Sequence, residues 1–264
     1  MELNLRGKQV CITGGSAGIG LAVGRKFAEE GAETALLARD ESLVKSEAER
    51  IEKEFGVRSV GIRCDVTKPE EIDDAVKQVE EVFGGTDILV NNAGTGSEET
   101  VMEAEDERWY YYLDLHLMSA VRMSRKCVPY MRNRGGGVIL HTSSICAKQP
   151  LWYEPIYNTT KAALQMFSKC LSLELIKDNI RVNTVSPGLV LTRDWWKTAG
   201  ILSQQEGIEA KEYLDRIARE HAPIGRFAEP EEIAELYVFL ASEKGSYVVG
   251  SDYLIDGGWL KTVD

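Results

Sequence analysis

The chain has 264 residues, and 31 Lys and Arg stand against 42 Asp and Glu, a formal charge of −11. An acidic surplus of that size repels nucleic acid and anionic membranes at long range and excludes both as broad surface partners. At 44% hydrophobic and 28% charged, the composition is too apolar for a disordered chain and suits a globular α/β protein.

Short β-branched runs alternate with amphipathic stretches along the whole length. The predicted order is strand 9–13, helix 18–30, strand 33–38, helix 41–55, strand 59–64, helix 69–83 and strand 87–91. A long helix at 107–134 follows, then strand 137–142, helix 154–178, strand 180–186, helical stretches within 193–223 (notably 209–220), helix 230–241 and strand 252–256. Pro69 and Pro230 suit first helical turns, where a missing N–H costs nothing, and each precedes acidic residues that favour the positive end of the helix dipole. Strict alternation of this kind predicts a doubly wound parallel sheet of the Rossmann type, about seven strands with helices on both faces. No linker or repeat divides the chain, so one domain over 1–264 is expected. Ligands of such folds bind outside the carboxyl ends of the strands.

The N-terminal residues show no apolar core of a secretory signal, and no stretch approaches the ~18 apolar residues of a membrane-spanning helix. The cysteines are Cys11, Cys64, Cys127, Cys146 and Cys170, an odd set without a CxxC pair. That pattern predicts neither a disulfide framework nor a zinc site, and points to the reduced cytoplasm with no metal.

After the first strand comes Thr13-Gly14-Gly15-Ser16-Ala17-Gly18-Ile19-Gly20. Gly14 permits a tight turn, Gly18 lets backbone approach a pyrophosphate, and Gly20 lets helix and strand pack closely, while the free N–H groups of the helix face the anion. This Gly-x3-Gly-x-Gly spacing resembles the short-chain dehydrogenase/reductase family, and four further motifs extend the likeness over nearly the full length. They are Asn91-Asn92-Ala93-Gly94, the set Ser144, Tyr157 and Lys161, Pro187-Gly188 with Thr192 four residues on, and Asp256-Gly257-Gly258.

Tyr157 and Lys161 are spaced i and i+4 and share one helix face. An ammonium beside a phenol favours the phenolate and lowers its pKa, so Tyr157 is expected to pass a proton to a ketone oxygen or take one from an alcohol. Ser144 would hydrogen-bond the same oxygen. The resemblance adds nicotinamide-ribose binding by Lys161. The family's Asn in the long helix is replaced by His116 here; an imidazole donates, accepts and titrates near neutrality, so His116 joins the catalytic set as a relay.

The resemblance implies that Gly14, Ser16, Gly18, Ile19, Gly20, Asn92, Ala93, Gly94, Pro187, Gly188, Val190 and Thr192 line the cofactor with Tyr157 and Lys161. Asp65 resembles the family's adenine-contacting acid, with Val66 along the base. Ala38 stands where an NAD enzyme carries the ribose-binding acid, and Arg39 follows with donors suited to a 2′-phosphate. NADP(H) is therefore preferred, with NAD(H) not excluded; Ala17 stands where many NADP-preferring relatives carry a second base.

Trp152, Tyr153, Trp195 and Trp196 fall in the two segments expected to line the substrate pocket, and 193–223 is expected to act as a lid. Such a pocket suits a bulky or cyclic ketone or secondary alcohol as small-molecule substrate, while Arg193 and Lys197 leave room for an acidic one. Steroid, sugar, polyketide and acyl thioester all remain open. A 3-oxoacyl thioester reductase and a catalytically silent cofactor-binding relative are the alternatives. The family's habit, together with apolar Tyr111, Met118, Met123 and Val128 on the long helix, leads to an expected homo-oligomer, a dimer or tetramer.

Overall fold

The computed structural model describes residues 2–97, 99–150 and 154–262. Seven strands form one sheet: β1 (Gln9–Thr13), β2 (Glu33–Ala38), β3 (Ser59–Arg63), β4 (Ile88–Asn91), β5 (Gly137–Thr142), β6 (Ile180–Pro187) and β7 (Asp252–Ile255). Their spatial order is β3-β2-β1-β4-β5-β6-β7, and every pairing is parallel. The order reverses between β1 and β4, which opens a crevice at the carboxyl edge.

Parallel strands joined by helices must bury both sheet faces. On one face, α1 (Gly18–Glu29), α2 (Glu41–Phe55) and α9 (Pro230–Ala241) cover Val10, Ile12, Leu36, Val90 and Leu140. On the other, α3 (Pro69–Phe83), α4 (Asp106–Leu113), α5 (Ser119–Asn133) and α6 (Pro155–Leu175) cover Cys11, Leu37, Leu89 and Ile139. Alternate residues of one strand thus serve opposite cores, as the two-residue period of a strand requires. Local chemistry sets the helix ends. The Asp40 carboxylate accepts from the Leu43 N–H at the start of α2, Gly56 ends it in the left-handed region, and Glu229 with Glu232 forms a capping box on α9.

Three expectations change. The long helix is not continuous, because α4 passes into α5 through a π-helical turn at Asp114–Met118 that carries His116. Helix α7 (Arg193–Glu206) was not anticipated as an element of its own. It buries only Ala199 and Ser203 among its described positions, too narrow a stripe to read as helical periodicity. Finally, Met123 and Val128 are buried inside the chain, so they offer no surplus for another subunit.

Helix α7 and α8 (Ala210–His221) form a third, smaller core of Leu189, Ala199, Tyr213, Leu214, Ile217 and Phe227. At the base of this unit Val190 forms a parallel bridge with Ala228. Among the described residues, no helix is long and apolar enough to cross a membrane, and no group of three or more His, Cys, Asp or Glu could hold a metal.

Candidate active site

The glycine turn is held by polar bonds from three strand ends. The Asn92 backbone N–H donates to Thr13 Oγ1 (3.0 Å), its side-chain amide to the Thr13 carbonyl (3.1 Å), and Thr142 Oγ1 to its Oδ1 (3.1 Å). Asn92 therefore positions the turn, with both ends of its side chain engaged. A Cβ on Gly20 would collide with the Gly14 carbonyl oxygen and the Asn92 amide. Gly14 and Gly18 have φ of +69° and +55°, the left-handed region where a side chain is strained.

The residues present fit a dinucleotide. Helices α1 and α7 both begin without a side-chain cap, at Ala17 and Thr192. The two N-termini meet, since a Cβ on Gly18 would lie 3.4 Å from the Thr192 methyl. Uncapped first-turn N–H groups at a glycine cradle make a place for a pyrophosphate. Val190 is buried beside this groove, and Gly188 is packed so tightly that a Cβ would stand 2.8 Å from the Asp256 Cα. Ser16 and Ile19 lie half-buried on the turn. At the far end Arg39 is exposed at the tip of β2. Burial works to raise the Asp65 carboxyl, but hydrogen bonds from Thr67 and the charge of Arg39 hold it below the ordinary value. Val66 is buried next to it.

The catalytic candidates converge between β5 and α6. Ser144 stands two residues past the end of β5 in extended backbone, where its hydroxyl accepts from the Cys146 N–H (3.1 Å) and hydrogen-bonds the Tyr157 phenol. Tyr157 is half-buried, and Lys161, one turn on, lies 5.5 Å from its ring centroid. The Lys161 ammonium donates to the Thr142 carbonyl (2.8 Å). Burial lowers its pKa to about 8.

The phenol does not behave as the spacing suggests. Burial pushes the Tyr157 pKa up, the nearby Cys146 and Glu154 push the same way, and only the Ser144 hydrogen bond opposes them. Desolvation of the phenolate is the largest effect on the phenol. The phenol is therefore held in its protonated form.

His116 is 2% exposed and both its nitrogens are engaged. Nε2 accepts from the Thr95 N–H (3.3 Å), which leaves the ring proton on Nδ1, against Thr160 Oγ1 (2.8 Å). Burial and the Lys161 charge hold the imidazole well below its ordinary pKa. It is a neutral brace between the loop after β4 and α6. Gly94 lies between the two, since a Cβ there would be 3.1 Å from His116 and 3.4 Å from Lys161 Nζ.

Sequence reasoning missed Cys146 and Glu154, whose side chains act on Tyr157. The signal was present in the spacing, because Cys146 follows Ser144 by two residues and Glu154 precedes Tyr157 by three. Of the expected substrate residues, Trp152 and Tyr153 lie outside the described residues. Trp195 turns inward, edge-on to Phe227 with centroids 5.0 Å apart, and Trp196 is 46% exposed.

Comparison with known proteins agrees with this geometry. Residues 14–260 match the family model described as enoyl-(acyl carrier protein) reductase. Galactitol 2-dehydrogenase of Agrobacterium fabrum is 33% identical over 98% of this chain and 100% of its own, and a 3-oxoacyl-[acyl-carrier-protein] reductase of Aquifex aeolicus is 31% identical over 98% and 99%. Among solved structures, L-sorbose reductase from Gluconobacter frateurii, complexed with NADPH and L-sorbose, superposes with a TM-score of 0.98 at 56% identity, over 100% of both chains. The chain belongs to the short-chain dehydrogenase/reductase family of oxidoreductases.

Proposed function

We propose that this protein is an NADPH-dependent reductase of a small polyhydroxy ketone, with Tyr157 as the proton donor. The observation that carries the reading is the end-to-end likeness, at 56% identity, to a reductase bound to NADPH and a ketose. The site chemistry supports it. Bound NADPH would supply a hydride to the carbonyl carbon. Ser144 donates to the carbonyl oxygen and polarises it, and the protonated Tyr157 gives that oxygen its proton. The Lys161 ammonium below the ring stabilises the phenolate that remains and binds the cofactor's ribose. His116 keeps the loop and the helix in register rather than carrying the proton.

Arg39 takes the 2′-phosphate, and Ala38 removes the acid that would oppose it. The enzyme works in the reduced cytoplasm as a dimer or tetramer. Met166 and Leu173 on α6 are 67% and 69% exposed, apolar surface suited to another subunit; light scattering showing a monomer would refute assembly.

The deciding experiment follows NADPH consumption with L-sorbose, fructose, a steroid ketone and a 3-oxoacyl thioester. Ketoses should turn over fastest, and NADH should serve poorly. A preference for the thioester or the steroid would overturn the substrate class, and equal rates with NADH would overturn the cofactor.

A further inference from the structure

Ser144 and Tyr157 must reach one carbonyl oxygen together, and they stand on different elements. Sheet bonding on the Ser144 side ends at Ser143, whose N–H donates to the Val185 carbonyl (2.8 Å). Past it, the N–H groups of Cys146, Ala147, Lys148 and Gln149 all bond back to Ser144 or Ile145, which shapes the segment without fixing it to the sheet. On the helix side, Tyr157, Lys161 and Gln165 follow at four-residue steps along one face of α6. Gln165 Nε2 donates to Ser186 Oγ on β6 (2.9 Å) and to Asp252 Oδ2 at the start of β7 (3.0 Å). Ser186 Oγ donates in turn to Asp252 Oδ1 (2.6 Å). The same Oδ2 lies 3.4 Å from the Lys148 ammonium, and the Lys148 and Asp252 side chains are only 20% and 18% exposed. One carboxylate on the edge strand therefore meets both elements.

We propose that Asp252 is a positioning residue for the reaction: its carboxylate holds the Ser144 segment through Lys148 and the Tyr157 helix through Gln165, and so sets the separation of the two groups that meet the substrate oxygen. The inference rests on the reading of Ser144 and Tyr157 as the groups that polarise and protonate that oxygen. Two such groups act together only at a fixed separation, and misplacement by about 1 Å costs on the order of 10²-fold in rate. A carboxylate suits the task. Its pairing with Lys148 is neither buried enough for heavy desolvation nor exposed enough to be screened away, and Ser186 and Gln165 fill further acceptor positions. The cofactor turn is tied separately, by Thr13, Asn92 and Thr142. The clasp at Asp252 thus acts on the partners of the reacting oxygen and leaves the grip on NADPH alone.

The test is single-turnover oxidation of bound NADPH on mixing with excess L-sorbose, which separates the rate constant of the chemistry from the number of working sites. Asp252→Ala should lower that rate constant roughly ten- to hundredfold, while the amplitude per bound NADPH and the NADPH Kd by fluorescence titration stay within about twofold. Lys148→Met releases only the Ser144 segment and leaves Asp252, Gln165 and Ser186 bonded to one another. Its rate constant should fall by about three- to tenfold. Because Lys148 acts through Asp252, adding Lys148→Met to Asp252→Ala should cost less than about twofold more. An unchanged rate constant in Lys148→Met would overturn the proposal, and does so even if Asp252→Ala fails to fold. Multiplicative losses in the double variant would overturn it as well. A smaller amplitude at an unchanged rate constant would reduce Asp252 to a support of the fold and nothing more. The underlying reading fails separately, if Tyr157→Phe keeps the rate constant of the unaltered protein.

Discussion

The cofactor end and the α7–α8 unit, which we propose is a lid over the substrate, are built on different principles. Around the glycine turn, close backbone approach and a few polar side chains set the geometry. Thr13, Asn92 and Thr142 tie β1, β4 and β5 together, and Gly20 sits where no Cβ fits. In the lid, side chains set it. Leu189, Tyr213, Leu214, Ile217 and Phe227 make a small core of their own, fastened at the base by the Val190–Ala228 bridge and by the Ile224 N–H donating to the Gly257 carbonyl (3.1 Å). A phosphate cradle tolerates no change of backbone, whereas a packed lid can be re-shaped residue by residue for a different substrate.

Two substitutions press hardest on this contrast. Tyr157→Phe should cut kcat by about 10³-fold, within the range of lost general-acid catalysis, and leave the NADPH fluorescence titration unchanged. Gly20→Ala should do the reverse, abolishing the titration because the turn cannot close over its new methyl group. If Gly20→Ala bound NADPH normally, the cofactor end would be no more rigid than the lid. If Tyr157→Phe kept near-normal kcat, another group would have to be the acid.

A pH series sharpens the account of the core between them. Lys161 titrates at about 8 in the folded chain against an ordinary 10.5. Between those values the unfolded chain holds a proton that the folded chain has lost, so this group stabilises the fold as pH rises and destabilises it as pH falls through about 8. Activity should run the other way. kcat/KM for NADPH, which reports the cofactor-free enzyme, should fall on the alkaline side of pH about 8 as the ammonium disappears. Denaturation midpoints of the unaltered protein, compared with Lys161→Met across that window, should converge toward high pH. Parallel midpoint curves, or a flat alkaline rate profile, would contradict the buried ammonium.

The sheet was almost fully legible because each strand is a short run, mostly apolar or β-branched, between helical stretches, and the two-residue period of a strand assigns its side chains to alternate cores. The cofactor turn was legible for the same kind of reason: glycine spacing is the trace of backbone constraint. Legibility ended where the cause was three-dimensional. The spacing of Tyr157 and Lys161 correctly suggested neighbours, but the direction of the phenol's pKa depends on burial, which spacing does not encode. The chemistry of an imidazole suggested a relay at His116, and the two hydrogen bonds that hold its ring come from separate segments that the sequence does not bring together. Helix α7 escaped notice because its partner surface is α8 rather than the sheet, and two small buried residues sufficed.

The smallest predicted effects separate the two lid tryptophans. Trp195 is half-buried, and its edge-to-face pair with Phe227 contributes about 1 kcal/mol beyond the area it hides. Removing it should loosen α7 against the lid core. Trp195→Ala is expected to raise the KM for the ketose roughly five- to tenfold, the equivalent of that energy, with a smaller change in kcat. Trp196 is 46% exposed on the same helix, and its truncation leaves the lid core intact. Trp196→Ala should change KM by less than about twofold, as surface substitutions commonly do. Equal KM increases for the two variants would return Trp196 to the substrate pocket and make the lid a binding surface on both sides of α7. A rise for Trp195 alone would establish that the lid acts on substrate through its own packing, which is the property that distinguishes it from the cofactor turn.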